Sequence, residues 1–143
     1  MPYEFLEELA VADIAFRAWG RTLEEVFAAA GDATINVMVD NLDSIEFKES
    51  RPLQLANSAL DMLLFDLLNE LIYHKDTEQL LLRVREVRIS QADGQWSLSG
   101  KARGENLDPA RHQQRADVKA VTLHQFNLEQ TEQGWSAQVI LDI

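Results

Sequence analysis

The sequence predicts an α+β fold: an antiparallel, curled sheet with two helices packed on one face, in the order β-α-β-β-α-β-β-β-β, as one domain over residues 1–143. Three observations predict it. Two segments repeat apolar residues at helical spacing, the second half of the chain alternates almost continuously, and Asp93-Gly94 stands between two alternating runs as a tight hairpin would. Strands joined by short turns, with only two helices among them, place those helices together on one face of an antiparallel sheet.

The first strand is read from Val11 to Trp19, where Val11, Ile14, Phe16 and Ala18 are apolar around Asp13 and Arg17, and Gly20 ends it. Thr22 then opens a helix as a capping box with Glu25, and Val26, Phe27, Ala30, Ala33, Val37 and Met38 recur at helical spacing as far as Asp40. Ile45 to Phe47 and Leu53 to Leu55 read as two short strands split by Arg51 and Pro52. The second helix starts from a cap at Asn57 or Ser58 and carries Leu60, Leu63, Leu64, Leu67, Leu68, Leu71 and Ile72. Four longer strands follow: Leu80 to Ser90, Trp96 to Ala102, Val118 to Leu128 and Trp135 to Ile143. The apolar positions change parity between Val84 and Val87, which predicts a bulge.

Charge excludes one class of partner. With 13 basic against 24 acidic residues and a net charge of −11, the phosphate attraction that supplies most nucleic-acid affinity is missing, so tight RNA or DNA binding is not expected. The acidic N-terminal stretch and the lack of a long apolar run predict a cytoplasmic chain with no membrane span. No cysteine is present, so a metal would be held by oxygen or by the three histidines, which favours calcium, magnesium or manganese.

Three groups of residues could carry chemistry. Asp13 interrupts an apolar strand, and Asp142 stands beside the terminal Ile143. If the first and last strands are neighbours, two side-chain carboxylates and the α-carboxylate converge, an arrangement that repels itself unless a divalent cation sits between them. On spacing alone, two ordinary solvated carboxylates is the weightier reading. The loop from Gly104 to His112 is dense in polar groups, with Glu105, Asp108 and His112 as candidates, although most such loops are solvated connections. Lys119 and His124 lie in the next strand; a solvent-facing lysine and a structural histidine outweigh functional roles for either.

In that order Gly104-Glu105, Asp108-Pro109-Ala110-Arg111-His112, Val118-Lys119-Ala120-Val121-Thr122-Leu123-His124 and Leu141-Asp142-Ile143 form a specific series. With Ala12-Asp13-Ile14, Arg17-Ala18-Trp19-Gly20 and Thr22-Leu23-Glu24-Glu25-Val26-Phe27, it resembles the archease family over essentially the whole chain. The resemblance implies a metal-binding accessory protein, not an enzyme: a helper of the RNA-splicing ligase that promotes guanylylation of the ligase histidine and its repeated turnover. It implies Asp13, Asp142 and the terminal carboxylate of Ile143 as ligands of a divalent ion, calcium first. Lys119 becomes a functional residue beside them, and Glu105, Asp108, His112 and His124 become candidate partner-facing residues. The match departs where the family writes His-Thr, here Ala10 and Val11, and where Ala15 replaces a glycine. Two alternatives stay open: a metal-dependent phosphoesterase using Asp13 and Asp142, and an acidic interaction module that forms homo-oligomers.

Overall fold

The computed structural model describes residues 2–6 and 13–143. Along the chain run β1 (Tyr3–Leu6), β2 (Asp13–Gly20), α1 (Leu23–Met38), a 3₁₀ turn (Leu42–Ser44), β3 (Glu49–Asn57), α2 (Leu60–Glu78), β4 (Leu80–Ala92), β5 (Gln95–Asn106), β6 (Ala120–Thr131) and β7 (Gly134–Asp142). The fold is α+β with two helices and antiparallel strands, as the sequence predicts. Where the sequence predicts one curled sheet, the strands form two, β1-β2-β7-β6 and β3-β5-β4. They divide at the connection between β5 and β6, whose backbone groups bond elsewhere: Leu107 N–H donates to Gln79 O, Arg115 N–H to Met38 O and Ala116 N–H to Val37 O. With its hydrogen bonds spent on the ends of the helices, that connection does not extend either sheet.

Both helices touch both sheets. α1 packs on β2 and β7 of one sheet and on β4 of the other, while α2 packs on β3, β4 and β5 and reaches β6. The leucine stripe explains this: Leu63, Leu64, Leu67, Leu68 and Leu71 are all fully buried. Thr22 caps α1 by accepting from Glu25 N–H at 3.1 Å, and Glu25 Oε2 accepts in return from Arg21 N–H at 2.7 Å, one residue before the usual partner. At the start of α2 the signal sits at Asn57, whose Oδ1 accepts from Ala59 N–H at 3.0 Å. Asp93 (φ 53°) and Gly94 (φ 74°) make the β4–β5 hairpin turn, both residues left-handed as a type I′ turn requires. The register breaks between Val84 and Glu86, where the parity change predicts a bulge.

Three local expectations are corrected. Tyr3–Leu6, unassigned in the sequence, adds an edge strand to β2, with Tyr3 opposite Ala18. Ile45–Phe47 is not a strand: Asn41 starts a 3₁₀ turn, Ile45 N–H donates to Leu42 O, and Ile45 is apolar because it enters the core. Arg51-Pro52 does not split a strand, because β3 is the edge of its sheet and an edge tolerates a missing N–H. The Val11 and Ala12 part of the predicted first strand lies outside the described residues. Among the described residues, no helix is long and apolar enough to cross a membrane.

Candidate functional site

β2 and β7 are antiparallel neighbours, and their register sets Asp13 directly opposite Asp142. Alternation then sorts the pair's side chains. Phe16 and Ala18 of β2, with Val139 and Leu141 of β7, are fully buried and define the inner face. Asp13 and Asp142 are one residue out of phase with these and share the opposite face, both half-buried. Directly opposed residues of an antiparallel pair have Cβ atoms about 4.5–5.5 Å apart, so the two carboxylates repel at close range unless a cation intervenes.

The flank of this corner comes from the segment before β6. Lys119 N–H donates to Asp142 O at 2.8 Å, and Ala120 stands opposite Asp142. The Lys119 side chain is exposed. Its backbone is held from behind by Lys75 of α2, whose Nζ donates to Asp117 Oδ1 at 2.5 Å and to Val118 O at 3.1 Å. Burial pulls the Lys75 pKa down, but the bonds to Asp117 and Asp76 outweigh it and leave the pKa raised. Ile143 follows Asp142 directly, so Asp13, Asp142, Lys119 and the chain end meet at one corner of the sheet. Among the described residues no three His, Asp or Glu side chains are grouped to hold a metal. The donors present, anionic oxygens without nitrogen or sulfur, fit calcium, magnesium or manganese. Ala10 and Val11 lie outside the described residues.

A second cluster gathers Glu105, Asp108 and His112. Glu105 is 3% exposed and His112 is 1% exposed. Glu105 Oε2 accepts from Glu46 N–H at 2.7 Å and pairs with His112 Nε2 at 3.0 Å, while Arg111 donates to Glu105 Oε1. His112 Nδ1 accepts from Asp108 N–H at 2.8 Å, which fixes the tautomer: Nε2 carries the hydrogen and donates it to Glu105. Burial pushes the Glu105 carboxyl up, but the bonds from Glu46 N–H, His112 and Arg111 overcome it and hold the pKa at about 2. Asp108 Oδ1 accepts from Ala110 N–H at 3.0 Å and its carbonyl from the Arg111 and His112 amides, so it shapes the turn. His124 is exposed in the irregular stretch of β6 between Thr122 and Asn127, next to Gln125 at φ 53°, and bonds to neither cluster among the described residues. Two residues with roles here carry no sequence assignment. Arg111 is readable as the i+3 partner of Asp108; Lys75 meets its partners some 42 residues on in the chain and has no local signal.

Residues 3–143 match the family model described as "Archease protein family (MTH1598/TM1083)". The archease of Pyrococcus furiosus is 41% identical over 133 residues, covering 92% of this chain and 93% of its own. That of Methanosarcina acetivorans is 39% identical over 144 residues, covering 99% and 95%. The solution structure of Methanobacterium thermoautotrophicum protein 1598 is 36% identical and superimposes with a TM-score of 0.85 over 99% of each chain. A Thermotoga maritima crystal structure, described as an archease and possible chaperone, is 17% identical with a TM-score of 0.61 over 92% of this chain and 91% of that one; it shares the fold.

Proposed function

Because this chain belongs to the archease family, we propose that it is an accessory protein: it assists an RNA-splicing ligase, promotes the ligase's guanylylation and lets it turn over repeatedly, without being an enzyme itself. The observation that carries the reading is the in-register opposition of Asp13 and Asp142 one residue from the chain end. In it Asp13, Asp142 and the Ile143 carboxylate hold a divalent ion, calcium first, with magnesium or manganese as alternatives. When bound, such an ion supplies positive charge that offsets triphosphate charge during nucleotidyl transfer. The two strands hold the carboxylates at fixed separation, and the Lys119 amide, bonded to the Asp142 carbonyl, ties the segment before β6 to the same corner. The net charge of −11 directs the contact to the ligase protein and not to its RNA.

A ligation assay with limiting ligase tests this: adding the protein raises the number of turnovers, and an unchanged yield counts against the proposal. The metal part has its own readout. At about 100 times its dissociation constant, calcium raises the unfolding free energy by roughly 2.7 kcal/mol in protein with a free C-terminus. Asp142→Ala removes that rise and most of the stimulation; equal calcium stabilisation of both proteins would exclude the assigned ligands.

A further inference from the structure

We infer that Lys75 of α2 is a positioning residue for the acidic corner: it fixes the segment that ties down the end of β7, and so sets how strongly that corner holds a divalent cation. The inference rests on the calcium site proposed above. Lys75 lies in the last turn of α2, and its side chain is only 12% exposed. Its Nζ donates to Val118 O at 3.1 Å and meets Asp117 Oδ1 and Asp76 Oδ1, each at 2.5 Å. One residue past Val118, the Lys119 amide donates to Asp142 O at 2.8 Å. A short path therefore runs from a mostly buried ammonium to the residue that carries one proposed ligand and precedes another.

Position matters here because the corner stands at a chain end. β7 stops at Asp142, and Ile143 is the last residue. Chain ends fray unless they are tied down, and the repulsion between two opposed carboxylates adds to that tendency. Asp142 is flanked by Asp13 on the β2 side and by Ala120 on the β6 side. β6 begins only at Ala120, so residues 117–119 precede its ladder; the fully buried Val118 side chain and the Lys75 bonds hold them. A cation in the last turn of a helix also offsets the helix dipole, a contribution to stability alone. Charge separates the two roles. Lys75→Met removes a positive charge, and by Coulomb's law that loss alone strengthens binding of a cation nearby. Loss of position weakens it, so the two effects differ in sign.

The test is calorimetric titration of calcium into metal-free protein with a free C-terminus at about 0.15 M salt, together with amide hydrogen exchange of the metal-free chains. Lys75→Met is expected to raise the calcium dissociation constant about tenfold or more, as losing a group that orients a metal ligand typically does. It also speeds exchange of the Lys119 amide more than that of amides in the middle of β7. Lys75→Arg, which keeps the charge and the donors, recovers most of the affinity, and Lys75→Gln, which keeps a donor without the charge, falls between Met and the unaltered chain. Arg83→Met breaks the two-bond pair with Asp32 of α1; it lowers the urea midpoint and leaves the calcium dissociation constant unchanged. The proposal is overturned if Lys75→Met binds calcium as tightly as the unaltered chain or more tightly, if its Lys119 amide exchanges no faster, or if Arg83→Met weakens binding equally. Absence of calcium binding by the unaltered chain removes the calcium site itself and this inference with it, so the two failures are told apart.

Discussion

Glu105→Gln should lower stability steeply near neutral pH and progressively less in acid. The glutamate accepts from the Glu46 amide at 2.7 Å, from His112 Nε2 at 3.0 Å and from Arg111, with 3% of its surface exposed. Glutamine keeps the shape but offers one acceptor where the carboxylate has two, and turns an NH₂ toward a donor. The charge that answers Arg111 also goes. Breaking a buried ion pair from one side costs about 3–5 kcal/mol, and because the amide oxygen retains one bond we expect about 3 kcal/mol here. For a chain of this length that is a fall of about 10 °C in Tm. The pH course follows from the carboxyl, held down to about 2 from its ordinary 4.5. A depressed carboxylate contributes its full stabilisation above the ordinary value and loses it as pH falls toward the native one, so the gap between the two proteins is whole at about pH 7 and shrinks below pH 4.5. Urea unfolding of both proteins at about pH 7, 5, 3.5 and 2.5 measures it. A gap under about 1 kcal/mol at neutral pH, or one that stays constant into acid, would refute the reasoning.

Two further outcomes concern the fold. Gly100→Ala puts a Cβ 1.7 Å from Glu86 O at the β4 bulge, a clash with backbone that no rotamer relieves; a loss of about 3 kcal/mol or more is expected in the urea midpoint. Gly94→Ala is the control: its Cβ meets nothing within 4 Å and it pays only for φ 74°, about 1–2 kcal/mol, so a reversed order would show the bulge contact to be soft. Asn57→Ala removes the bonds to Ala59 N–H and to Asp66 at the head of α2 and should cost about 1–2 kcal/mol in thermal unfolding, while Ser58→Ala, for which no cap bond is seen, should be near neutral.

What was legible in the sequence was what is local. The leucine stripe of α2, the Thr22–Glu25 box, the Asp93-Gly94 turn and the parity change near Val84 each depend on residues a few positions apart, and all four recur in the structure. Ile45–Phe47 alternates as a strand does, yet the Glu46 amide is taken by Glu105, 59 residues away, and no local pattern reports that. Pro52 marks a break only in a central strand, and whether β3 is central depends on the pairing of β5. Tyr3–Leu6 becomes a strand because β2 offers it a free edge, which its own four residues do not announce.

The candidate site divides along the same line. No local signal joins Asp13 to Asp142; the pair rested on the supposition that the first and last strands are neighbours, the likeness of whole motifs added weight to it, and the β2–β7 register makes it geometric. Glu105 and His112 were equally prominent in those motifs, but both are buried and bonded to one another, with Asp108 closing the turn and Arg111 bridging to Ser44 and Glu46. A side chain that is 3% exposed with its acceptors filled has little surface to offer a partner, so motif strength alone does not separate holding the fold from meeting another molecule. Exposure does separate them. Loss of activity at Glu105 or His112 must travel with loss of stability, since the same bonds supply both. At the half-buried Asp13 and Asp142, removing one of two opposed carboxylates relieves repulsion in the metal-free chain, so activity and stability can move in opposite directions there.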